Sequence, residues 1–195
     1  MADAKPPAVK RAVFYDIYPG DRLKLDAKSN IAKSGGGARD FRFSPQEEFI
    51  PVFGEILKGR LIRVTHGKKV GRRQVTVFTG IVLWHDPKVT PPERSGPMLF
   101  WPANQRRKTE ARIGTVHRLG LSHLVKNDPN GGKSVFLLLE LADGSARVWF
   151  TTETSLRNDK WHPSIKAFAT RWMDGGAKSG FIDLVTGTEF ANGGS

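Results

Sequence analysis

Two stretches of this 195-residue chain gather side chains that could do chemistry, and in both the chemistry is recognition of anions. The first is Lys28–Phe43, KSNIAKSGGGARDFRF, where Ser34-Gly35-Gly36-Gly37 is flanked by Lys28, Lys33, Arg39 and Arg42. Successive glycines cost backbone entropy, so an ordered domain keeps them where the backbone turns sharply or approaches another molecule closely. Exposed amides among cations suit a phosphate backbone. A solvated loop between two strands would have the same composition. The second stretch is Asn104–Arg118, NQRRKTEARIGTVHR, with Arg106, Arg107, Lys108, Arg112 and Arg118 against a single acid, Glu110. A basic loop feeding a strand can bring arginine and asparagine to base edges while neighbouring cations hold phosphates. Glu110 would orient those arginines, accept from a cytosine amine, or in a solvated loop simply pair with one of them. Lys68, Lys69, Arg72 and Arg73 form a third basic run, suited to phosphate contacts or to solubility.

Groups for covalent or metal chemistry do not converge in the sequence. The chain has no cysteine, which removes disulfides, thiolate nucleophiles and the commoner zinc sites. His66, His85, His117, His123 and His162 form no short metal-ligand spacing, and His117 and His123 have no carboxylate near them in sequence. Neither a nucleotide phosphate loop nor a nucleophile elbow is present. Metal-dependent nucleases usually pair an aspartate with a later acid that has lysine two residues on. Glu55 and Lys58 are one residue too far apart for that, and Glu140 is followed by Leu141 and Ala142. The expectation is a reader of nucleic acid without catalytic residues, metal or cofactor. A nuclease whose site is split along the chain would escape such a search and is the enzyme alternative; an RNA-binding or protein-interaction barrel and a transcriptional regulator are others.

Charge agrees with the anion reading. Lys and Arg number 31 against 19 Asp and Glu, a formal charge of +12, which favours nucleic acid or an anionic membrane surface as partner. No apolar run approaches the ~18 residues of a membrane span, and the N-terminus lacks a signal-peptide core, so the expected setting is cytoplasmic.

The elements that must position these stretches are mostly short strands. Residues 1–10 read as a disordered leader, 11–175 as one domain and 176–195 as a tail. Arg11–Tyr18, Arg22–Asp26, Phe41–Phe43, Arg60–Thr65, Gln74–Trp84, Met98–Trp101 and Glu110–Val116 have strand character, and Val135–Leu141 with Ala146–Thr151 form the clearest hairpin. One further strand is possible at Phe181–Val185, and Asp86–Pro97 reads as a proline-rich loop. Ser44-Pro45-Gln46-Glu47 resembles a helix start, and Pro51 is expected to break or kink that helix. Pro163 opens a second helix with Ile165, Phe168, Ala169 and Trp172 on one face. Of the five tryptophans, Trp84, Trp149 and Trp172 lie in core-like patterns, and Trp101 alone sits beside a basic loop. The pattern is a mainly-β barrel or sandwich with one or two short helices, not a βαβ fold.

The two basic loops resemble those of the N-terminal effector domain of the EcoRII restriction endonuclease, a family of DNA-binding pseudobarrels. Its first arm has a small residue before paired glycines, then an apolar strand, a proline and a short helix. Ser34-Gly35-Gly36-Gly37, Phe41-Arg42-Phe43 and Ser44-Pro45 follow that order. Its second arm has a basic run before glutamate, one residue, then arginine–isoleucine, matched by Arg106-Arg107-Lys108 and Glu110-Ala111-Arg112-Ile113. The resemblance spans about Phe14 to Thr152 and implies a seven- or eight-stranded pseudobarrel. It also implies that double-stranded DNA is gripped in the major groove by two arms: Lys33, Ser34, Gly35, Gly36, Gly37, Arg39 and Arg42 in one, Asn104, Arg106, Arg107, Lys108, Glu110 and Arg112 in the other. Arg39 stands near a family histidine and Thr109 replaces a family asparagine, so the recognised sequence need not be the same, and could be a modified one. The chain is too short for the family's nuclease domain, which implies a recognition module linked to restriction or phage defence, acting with a separately encoded nuclease. Oligomeric state has no signature in the sequence.

Overall fold

The structure, a computed structural model, describes residues 8–26, 40–67, 71–102, 109–114 and 116–192. Its strands are β1 (Val9–Asp16), β2 (Phe41–Phe43), β3 (Gly59–Gly67), β4 (Gly71–His85), β5 (Glu93–Trp101), β6 (Ala111–Gly114), β7 (Ser134–Leu141), β8 (Ala146–Thr152), β9 (Ser179–Asp183) and β10 (Thr188–Ala191). Among the described residues four α-helices accompany them: α1 (Pro19–Arg22), α2 (Gln46–Leu57), α3 (Glu153–Asn158) and α4 (Pro163–Asp174). The fold is mainly β, a curled half-barrel sheet in the order β10-β9-β1-β7-β8-β4-β5-β6-β2, with β3 paired to β4. The ten strands exceed the seven or eight expected. Two of them, β9 and β10, come from the stretch read as a tail, and β9 pairs with β1 inside the sheet.

The near-continuous apolar runs of β1 and β7 have a simple cause: both strands are covered on both faces. On one face Val13, Tyr15 and Ile17 join the core that α2 fills with Phe49, Val52, Phe53, Ile56 and Leu57. On the other, Ala12 and Phe14 meet α4, with the Phe14 ring 5.1 Å from Phe168 and 5.5 Å from Trp172. Each buried ring contributes about 1.5–3 kcal/mol through removal of apolar surface from water. The same strands carry a buried charge cluster. Arg11 of β1 stands in register with Glu140 of β7 and Asp183 of β9. Its guanidinium donates to both carboxylates, at 2.9 Å for Asp183.

Three local expectations change. Residues 22–26 alternate like a strand but form the end of α1 and a 3₁₀ turn, Leu23–Leu25. Pro19 starts the helix, and the Asp21 carboxylate accepts from the Tyr18 amide and from the ammonium groups of Lys24 and Lys178. Pro51 does not interrupt α2, which runs unbroken over 12 residues from Gln46. Pro51 is exposed, so water can take the carbonyl its missing amide leaves unpaired. β5 starts at Glu93, inside the expected loop, and pairs with β4 over Phe78–His85. Pro97 is tolerated there because β6 joins β5 only at Leu99–Trp101, leaving the edge beside Pro97 without a ladder partner among the described residues.

The hairpin β7–β8, the pairing of β3 with β4, the strand β2 and the helix α4 with its buried Ile165, Phe168, Ala169 and Trp172 match their sequence patterns. Among the described residues no helix is long and apolar enough to cross a membrane.

Candidate functional site

The first basic stretch leads into β2 and the second into β6, and these two short strands are hydrogen-bonded neighbours. They run antiparallel in the register Phe41↔Ile113, Arg42↔Arg112, Phe43↔Ala111. On the far side of β6, β5 adds Phe100↔Ile113 and Trp101↔Arg112. Side chains alternate across a pleated strand, so the register sorts them into two layers. Phe41, Phe43, Phe100, Ala111 and Ile113 are fully buried. Arg42, Arg112 and Trp101 form a row on the opposite, partly exposed face.

The inner layer rests on α2. The Phe53 ring stacks on Phe100 at 3.9 Å, and Phe43 meets Phe49 and Phe53 edge-on or tilted, each at 5.1 Å. The amide of Gln46, the first residue of α2, donates to the Thr109 carbonyl at 2.8 Å. Thus the exit of the second stretch is tied to the helix that comes after the first.

The outer row is a crossed pair of charge contacts. Asp40 lies at the exit of the first stretch, and its Oδ2 accepts from Arg112 Nη1 at 2.9 Å. Glu110 lies at the exit of the second, with its Oε2 3.6 Å from Arg42 Nη1. The crossing is a consequence of antiparallel pairing: both exits read acid–apolar–arginine (Asp40-Phe41-Arg42 and Glu110-Ala111-Arg112), and each acid lies diagonal to the other strand's arginine. Arg112 also sits over Trp101, its Cζ 5.6 Å from the ring centroid. Gly114 makes room for that indole, because a Cβ there would stand 2.9 Å from Trp101 Nε1. Asp40 is nearly enclosed, with 12% of its side chain exposed, whereas Arg112 keeps 40%. The result is an arginine held by a carboxylate and an indole, with 40% of its side chain still open.

Compared with known proteins, the chain matches no family model and no curated sequence. The chemistry of the site therefore rests on its own residues.

Of the residues expected to bind DNA, Arg42, Glu110 and Arg112 are brought together here. Lys33, Ser34, Gly35, Gly36, Gly37, Arg39, Asn104, Arg106, Arg107 and Lys108 lie outside the described residues, as do Lys68 and Lys69. Arg72 and Arg73 lie in β4, opposite His66 and Thr65 of β3; their side chains are not among those described. Trp101, the tryptophan expected beside a basic loop, joins the site, and Asp40 and Gly114 complete it without having been assigned to it. The repeated acid–apolar–arginine signature was the available signal, and it gains meaning only when β2 and β6 are known to pair.

Elsewhere the structure supplies histidine partners that sequence distance concealed. His123 Nε2 lies 2.8 Å from Asp86 Oδ2, across 37 residues. Burial pushes the Asp86 carboxyl up, but the Lys88 amide and the His123 ring outweigh it and hold it below its ordinary value. His162 Nδ1 accepts from the Ser164 amide at the start of α4, a helix-capping role. Trp84 and Trp172 are buried as expected, Trp149 is only half-buried against the second core, and Trp161 joins the buried set. Among the described residues no three His, Asp or Glu side chains gather as metal ligands.

Proposed function

We propose that this chain is a non-catalytic module that binds double-stranded DNA, reading sequence in the major groove with its two basic loops. The observation that carries the proposal is the pairing of β2 with β6, because two loops that feed adjacent strands can close on one duplex. A net charge of +12 supplies the sequence-independent attraction to phosphates. Arg42 and Arg112, in register on the open face, are suited to base edges or phosphates next to the loops. Lys33, Ser34, Gly35, Gly36, Gly37 and Arg39 extend the first arm; Asn104, Arg106, Arg107 and Lys108 extend the second. Lys68, Lys69, Arg72 and Arg73 add phosphate contacts. The biological setting in this reading is restriction or phage defence, with a separately encoded nuclease as partner.

The test is a salt-controlled binding assay on wild type and Arg112→Ala, using a duplex selected by the wild type from a random pool and a duplex of random sequence. Loss of a base contact weakens the selected duplex by about 1–3 kcal/mol and leaves the random one nearly unchanged. Equal losses on both would reject base reading by Arg112. Incubation with plasmid and magnesium or manganese tests the enzyme alternative, since cleavage at stoichiometric protein would replace the module with a nuclease.

A further inference from the structure

We infer that Asp40 is a positioning residue that sets base specificity by holding Arg112 against Trp101 with its free edge toward a paired acceptor, as on guanine. This rests on the proposed DNA binding and goes beyond it, since it assigns a specificity role to a carboxylate, which DNA should repel.

The contact between Asp40 and Arg112 has an electrostatic cost. A cation that only neutralises phosphate loses by having a carboxylate 2.9 Å away, because the pair's net charge is nil. A guanidinium that must meet two acceptors at fixed angles gains from it, because its planar fork is ordered before the ligand arrives. The surroundings of Arg112 are those of the second case. Asp40 is nearly enclosed, so it can turn little toward solvent. Trp101 lies beneath the guanidinium, and Gly114 admits the indole at a distance that no side chain would permit. Asp40 Oδ2 takes a bond from Nη1, and the guanidinium has further N–H donors for a bidentate acceptor. Among base edges in the major groove, guanine presents two adjacent acceptors, O6 and N7, and arginine is the usual partner of that pair. Arg42 differs: its carboxylate partner Glu110 is 3.6 Å away and 37% exposed, a looser contact suited to exchange for phosphate.

The experiment uses Asp40→Asn, which keeps shape and removes charge, with the selected and random duplexes at one salt concentration. Affinity for the selected duplex should fall about tenfold or more, as for loss of one charge-assisted bond. Affinity for random DNA should rise roughly twofold, because the site loses one negative charge and the Arg112 cation is no longer neutralised. The opposite signs are the signature of positioning. A parallel fall on both duplexes with a lowered melting temperature would make Asp40 merely structural and overturn the inference; a parallel rise would make it merely electrostatic and do the same. Asp40→Glu should recover part of the specific affinity. Replacing the guanines of the selected duplex with 7-deazaguanine, which lacks N7, should weaken the wild type and hardly affect Asp40→Asn. An unweakened wild type would refute the guanine assignment, and equal weakening of the two proteins would refute the role of Asp40. Failure of the wild type to bind any duplex would sink the DNA reading itself, an outcome separate from all of these.

Discussion

Replacing Arg11 with methionine removes the cation held between Glu140 and Asp183 on the central strands. The side chains of Arg11, Glu140 and Asp183 are 10%, 4% and 9% exposed, so the variant leaves two carboxylates in an enclosed site. Breaking a buried ion pair from one side costs about 3–5 kcal/mol. Two compensations place this case near the lower end, about 3 kcal/mol. Lys58 Nζ stays 3.2 Å from Glu140, and the amides of Val185 and Thr186 still donate to Asp183. The effect should depend on pH with a definite sign. In the wild type, burial raises the Asp183 pKa, but Arg11 and those two amides outweigh it and hold it below its ordinary value. That contribution to stability is present above the unfolded value of about 3.9 and is lost as pH falls through the lower folded value. Without Arg11 the Asp183 pKa rises, because burial is then opposed only by the two amides, and the carboxylate loses its stabilising partner at neutral pH. The deficit therefore shrinks as Asp183 is protonated. Urea denaturation of both proteins at pH 7 and about pH 4 measures this directly. A loss below about 1 kcal/mol at pH 7, or one that does not shrink at the lower pH, would refute the reasoning.

Gly114→Ala should push the Trp101 indole outward by about half an ångström to relieve the close contact, and cost about 1 kcal/mol in thermal unfolding. The same change should weaken the selected duplex more than random DNA, because Arg112 loses its platform; unchanged discrimination would remove Trp101 from the site. Lys69→Ala should weaken all duplexes alike and flatten the plot of log affinity against log salt by about one unit. An unchanged slope would take Lys69 off the phosphate backbone.

Where sequence pattern and burial act along one element, the fold could be read in advance. Val135–Leu141 is almost wholly apolar because β7 is covered on both faces, Ala146–Thr151 alternates as the burial of β8 does at its start, and α4 shows its buried stripe directly. Residues 22–26 misled because Asp21 is held partly by Lys178, 157 residues away, a contact with no trace in local alternation. Pro97 concealed the first half of β5, since the tolerance of a proline depends on which neighbour the strand lacks. The C-terminal strands were understated for a related reason: β10 is short and largely exposed, while β9 owes its burial to β1. In the site, Arg42, Glu110 and Arg112 were legible as charge beside a strand. Asp40 and Gly114 were not, because their roles depend on the register of β2 on β6 and the reach of one indole.

A two-armed grip requires both basic loops to touch one duplex. A photo-crosslinking amino acid placed at Gly36 in one variant and at Gln105 in another, each bound to the selected duplex, measures this. The prediction is efficient crosslinks from both positions, to nucleotides within one helical turn (about 10 base pairs) of each other. Crosslinking from only one position, or from both with no preference for the selected site, would contradict such a grip.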